Sequence, residues 1–133
     1  MHKIYLKTAA FFGALAVISG AFGAHYLKEM LSVSQLQTFE TSVRYQFYHV
    51  FALLITSILY KEFPGKGLQW AGRFFITGII LFCGSLYVLS CVHSNPVVWI
   101  GAVTPLGGIC FIAGWVLLGM AIIEKQYPEK SGK

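Results

Sequence analysis

Acidic side chains are almost missing from this sequence. Against ten Lys and Arg it carries five acidic residues, at Glu29, Glu40, Glu62, Glu124 and Glu129, and none lies inside an expected span. That scarcity removes paired-carboxylate catalysis and a carboxylate proton relay. Charged residues of both signs make up only 11% of the chain, whereas a soluble domain carries about a quarter. Cysteine is sparse as well. Cys83, Cys91 and Cys110 form no CxxC pair, an odd number cannot all pair within one chain, and their apolar surroundings suit small buried side chains. No Ser-His-Asp set is evident, Cys91 and His93 are too few ligands for zinc, and no Lys follows Gly107 and Gly108 to make a phosphate loop. These gaps lead to the expectation of a non-enzymatic protein with no catalytic residues, no metal and no cofactor.

What the sequence has in abundance is apolar length. Of its 133 residues, 56% are hydrophobic, and the mean hydropathy is +0.68. Long apolar runs separated by short polar links predict an integral membrane protein. The net charge of +5 then reads as topology, not as a nucleic-acid footprint, because most basic residues flank those runs.

Four spans are expected, about 8–27, 45–60, 70–92 and 105–123, within a single domain covering 1–133. The first is long enough for one hydrocarbon thickness of about 30 Å. It is also longer than the core of a secretory signal, so it is expected to be kept. The second is short. Ser34 and Gln37 match a capping box, and Leu36, Phe39, Val43 and Phe47 recur at helical spacing. One long helix should therefore start near Ser34, as an interfacial amphipathic extension, and run on past His49. Glu40 stands four residues before Arg44, the favourable order for an ion pair. Trp70 and Arg73 suit a headgroup boundary after a loop marked by Pro64 and Gly65. Thr104 reads as an N-cap and Pro105 as the first residue of the fourth span, with "NPVVWIGAV" as an apolar surface cap.

The expected fold class is all-α, an integral membrane four-helix bundle. With four spans, Lys3, Lys7, Lys61, Lys66, Arg73, Lys125, Lys130 and Lys133 share one side, against Lys28 and Arg44 on the other. The positive-inside rule then puts both termini in the cytoplasm (N-in/C-in), in the plasma or inner membrane. Polar side chains inside spans must face the bundle interior or water. His25, Tyr45, Gln46, His49, Ser85, Tyr87 and Thr104 come from four segments at one depth, and are expected to form a sheltered polar cluster in the outer leaflet. Ala16, Gly20 and Ala24, spaced by four, make a small-residue stripe for close helix packing, and Gly107 and Gly114 make a similar seam. Either seam could serve packing within the chain or a homo-oligomer.

Four blocks, "GAFGAH" (20–25), "YQFYH" (45–49), "LFCGSLY" (81–87) and "TPLGGICFIAGW" (104–115), occur in order over nearly the whole chain. In these blocks the sequence resembles the small four-span membrane proteins catalogued as domain of unknown function 423, which include the transmembrane protein 256-like proteins. The resemblance implies a four-helix membrane protein and no stated activity, substrate or cofactor. Its motif positions map onto Gly20, Gly23, His25, Tyr45, Gln46, His49, Gly84, Ser85, Tyr87, Thr104, Pro105, Gly107, Gly108, Gly114 and Trp115. Arg44 and Tyr48 fall outside it. Among these, Gly20, Gly23, Ala24, Gly84, Pro105, Gly107, Gly108 and Gly114 are the expected helix-packing positions.

Three readings follow, one of them a purely structural polar network that holds no ligand. Another is a binding or accessory protein whose polar cluster holds a lipid, a quinone-like small hydrophobic molecule or a partner helix. The third is a small transporter, or a proton-relay or redox membrane protein, that uses His25 and His49.

Overall fold

The computed structural model describes residues 1–92 and 98–126. His93, Lys130 and Lys133, and the start of the expected apolar cap, lie outside them. Four long helices account for nearly all of the described chain: α1 (Lys3–Met30), α2 (Val33–Leu59), α3 (Lys66–Cys91) and α4 (Val98–Gln126). At a rise of about 1.5 Å per residue each reaches roughly 40 Å, more than one hydrocarbon thickness.

Three of these, α1, α3 and residues 100–123 of α4, are long and apolar enough to cross a membrane. The second helix is not among them. Its early turns carry Gln35, Gln37, Glu40 and Arg44, which dilute an otherwise apolar helix. Large apolar side chains cover the outside of the bundle, including Phe11, Val17 and Ile18 on α1 and Ile109, Ile112 and Val116 on α4. In water such a surface would be a liability; in lipid it is the expected finish.

The helix ends differ from their sequence reading in instructive ways. The capping box before α2 is formed by Ser32 and Gln35, not Ser34 and Gln37: the Gln35 amide N–H donates to Ser32 Oγ at 3.4 Å, and the Ser32 amide donates to Gln35 Oε1 at 3.0 Å. Both pairs have the required spacing, and the one whose serine, Ser32, is itself extended at φ −62°, ψ 160° takes the role. Thr104 is not an N-cap, and Pro105 does not open the fourth helix. That helix starts at Val98 and runs through Pro105. A proline ring presses on the carbonyl four residues earlier, which here belongs to Gly101. The Thr104 hydroxyl bonds Ser85 Oγ at 2.7 Å instead.

Two helices each contain one wide π-helical turn, Gly23–Leu27 in α1 and Ile79–Cys83 in α3. Such turns insert a residue into the α-helical ladder and loosen its hydrogen bonding. At the second, buried Ser42 of α2 donates to the Cys83 carbonyl oxygen at 2.8 Å, so α2 supplies a donor where the ladder is disturbed.

The core is built mainly by α2, α3 and α4, with Leu53, Leu68, Phe75, Ile79, Phe111 and Leu118 buried among them, and Tyr5 and Ala9 of α1 join it. Close approach of α3 and α4 requires glycine. A Cβ at Gly107 would overlap the Phe82 backbone, and one at Gly78 would overlap the Phe111 ring. At Gly114 it would lie 2.7 Å from the Phe75 ring. Gly108 has Phe82 at 3.9 Å, an ordinary contact. The α1–α2 contact is looser, with Val43 3.6 Å from a Cβ built on Gly20 and Phe39 3.0 Å from one built on Gly23. The α1 stripe starts with fully buried Ala16, while Ala24 is exposed.

Candidate functional site

Gln46 is the polar hinge of the bundle. It projects from α2 toward both α1 and α3, and is 3% exposed. Its Nε2 donates to the Phe12 carbonyl oxygen of α1 at 2.8 Å, and its Oε1 accepts from the Tyr87 hydroxyl of α3 at 2.8 Å. One amide thus ties three helices through one donor and one acceptor. A buried amide needs such partners, since leaving them unmade costs about 1–3 kcal/mol each. The Ser19 and Ser42 hydroxyls lie beside the same Tyr87 phenol, and the Phe39 ring packs against Tyr87 at 5.0 Å between centroids.

A groove of about 350 Å³ runs along this tie. Phe12, Leu15 and Ser19 of α1 form one wall, Ile79, Ile80, Cys83 and Gly84 of α3 form the other, and Gln46 and Tyr87 give it a polar spot. Gly84 meets nothing within 4 Å of its Cβ position. Here glycine serves no close helix contact and simply leaves the groove wide.

His49 is 6% exposed and occupies a different place. Its ring stacks on Phe111 of α4 at 3.4 Å and 7° between planes, with Phe75 at 6.0 Å and Trp115 at 6.3 Å. Its Nδ1 lies 2.7 Å from the Tyr45 carbonyl oxygen. A carbonyl only accepts, so Nδ1 carries the hydrogen, and in the neutral ring Nε2 keeps the lone pair. Tyr45 is 39% exposed and stacks on Phe82 at 4.8 Å.

The expected sheltered cluster is therefore divided. Gln46 and Tyr87 meet at the groove, Ser85 and Thr104 pair between α3 and α4, and His49 and Tyr45 sit in an aromatic layer facing α3 and α4. His25 stands apart, exposed on the wide turn of α1 in a shallow depression with Ala21, Phe22 and Tyr26. Among the described residues nothing lines both its surroundings and those of His49, so the two histidines do not flank one centre. Arg44 also departs from expectation: its guanidinium donates to Thr41 Oγ1 at 3.2 Å rather than pairing with Glu40.

At or beside the groove, Ser19, Ser42 and Cys83 escaped the sequence reading; Ser19 and Cys83 line it, and Ser42 adjoins Tyr87 without lining it. Ser42 had a usable signal, since it precedes Gln46 by one helical turn and shares its face. Cys83 had none, because its role depends on a carbonyl and on packing, not on its thiol.

Comparison with known proteins finds relatives that are named as membrane proteins. A family model described as protein of unknown function (DUF423) matches residues 19–108. The UPF0382 membrane protein YwdK of Bacillus subtilis is 37% identical over 123 residues, covering 92% of this chain and 98% of that protein. A UPF0382 membrane protein of Haemophilus influenzae is 36% identical over 126 residues, covering 95% and 98%. The UPF0382 inner membrane protein YgdD of Escherichia coli is 36% identical over 122 residues, covering 92% and 91%. No solved structure matches.

Proposed function

The chain belongs to the DUF423 family, whose relatives carry the name UPF0382 membrane protein, and we propose that it acts there as a non-enzymatic binding or accessory protein. The groove between α1, α2 and α3 takes a small hydrophobic molecule with one uncharged hydrogen-bonding group, such as a neutral lipid or a quinone-like ring. Gln46 keeps a second amide hydrogen and Tyr87 keeps oxygen lone pairs, so the pair can meet a carbonyl or a hydroxyl without presenting a charge to the bilayer. The observation that carries this reading is Gly84, which keeps a wall of the groove open where a side chain could stand without a clash. Grooves of this size between bundle helices are ordinary ligand sites.

A multi-pass arrangement in the inner membrane with both termini cytoplasmic is part of the same reading. Its support is the charge asymmetry, eight basic residues against two. The test of binding is solvent extraction and mass spectrometry of the protein purified in mild detergent. Wild type is expected to retain a neutral amphiphile that Gly84→Leu loses at unchanged thermal stability. Equal retention by the two proteins, or none by either, refutes the assignment.

A further inference from the structure

A second cleft opens beside the α1–α2 seam, and none of its lining residues belongs to the Gln46 groove. Its volume is about 200 Å³. Gly20 and Gly23 of α1 and Phe39 and Val43 of α2 make an apolar floor, and Glu40 and Arg44 stand at the rim. The two charges are one helical turn apart on α2, about 6 Å along its axis. That spacing normally invites an ion pair. Among the described residues neither forms one: Arg44 turns to Thr41, and both charged side chains stay exposed. They sit where the apolar run of α1 is about to give way at Lys28 and Glu29, opposite the polar early turns of α2. Long charged side chains at such a boundary reach for headgroups.

An apolar floor with a separate cation and anion at its lip complements one chemistry: an acyl chain joined to a phosphate and an ammonium. We propose that this cleft binds a zwitterionic, primary-amine phospholipid, with its phosphate on Arg44, its ammonium on Glu40 and its acyl region over Gly20 and Phe39. Arg suits a phosphate through its forked donors. Glu40 selects against a net anionic headgroup by repulsion, and favours a primary ammonium over a quaternary one because only the former donates hydrogen bonds. A free phosphate would leave the apolar floor unused.

Native mass spectrometry of the full chain, equilibrated in mixed micelles containing phosphatidylethanolamine, phosphatidylcholine or phosphatidylglycerol, tests this. One phosphatidylethanolamine per chain is expected, retained about tenfold better than phosphatidylglycerol, the scale of one hydrogen bond to a charged group. Glu40→Gln should abolish that preference, and Arg44→Gln should weaken retention of all three lipids. The exchange Glu40→Arg with Arg44→Glu should restore the preference in part, since the rim keeps both charges. Both positions are exposed, so the variants should fold, with circular dichroism as the check. Unchanged retention in Glu40→Gln and Arg44→Gln, a preference for phosphatidylglycerol, or a lipid-free dimer broken by these substitutions overturns the proposal.

Discussion

The N-terminal end of the bundle and the Gln46 groove are both polar places in an apolar protein, yet they are built in opposite ways. At the N-terminal end most of the groups satisfy one another, although His2 Nδ1 is buried with no hydrogen-bond partner among the described residues. The His2 amide donates to the Ser57 carbonyl and the Ser57 hydroxyl returns a bond to the His2 carbonyl, each at 2.9 Å. The Tyr5 hydroxyl donates to the Gln69 carbonyl at 2.6 Å, and Gln69 Nε2 donates to the Tyr60 hydroxyl at 2.7 Å. His2 stacks on Tyr5 at 3.9 Å, and Tyr5 fills the space over Gly72. At the groove one amide carries the whole tie, beside open volume. The first design locks three helices together at their ends. The second spends packing to keep a surface available. Polarity alone does not separate structure from recognition; what lies beside the polar atoms does.

The two glycines give the sharpest ways to break that contrast. Gly72→Val should be the most damaging change, since its Cβ would collide with the Tyr5 ring and the helix cannot yield. A loss of about 3 kcal/mol is expected, read as a lower unfolding temperature in detergent. Gln46→Leu should come next, at about 2 kcal/mol, because Tyr87 loses its acceptor and Phe12 its extra donor in a buried place. Tyr5→Phe removes one bond at the locked end and should cost about 1 kcal/mol in the same melt. Gly84→Ala should have the smallest effect and the opposite sign. With nothing near its Cβ, better helix propensity should raise stability by about 0.5 kcal/mol. If Gly84→Ala destabilised as much as Gly72→Val, the distinction between a locked end and an open groove would be lost.

The sequence made some of this readable and concealed the rest for physical reasons. Apolar runs and their polar breaks disclosed four helices, because hydropathy is a local property. Gln46 and Tyr87 stood out as polar residues in apolar segments. The locked end did not, because its bonds join residues such as His2 and Ser57, or Tyr5 and Gln69, that are far apart in the chain. Residues near a terminus also give little periodicity to read. Pro105 misled because proline more often opens a helix than sits within one. His25 and His49 were expected to share a depth, which they can do on faces that never meet. Depth can be counted along a helix; azimuth drifts with every irregular turn.

That drift gives the Ile79–Cys83 segment its importance. A single added residue advances a helix by roughly 100°, so the half of α3 from Ser85 onward is indexed differently from the half before it. The segment sets the bearing of Ser85 toward Thr104 and of Tyr87 toward Gln46 while Phe75 keeps its seat in the core. Deleting Leu81 from it would leave every lining residue of the groove in the sequence and swing that outer half away from its partners.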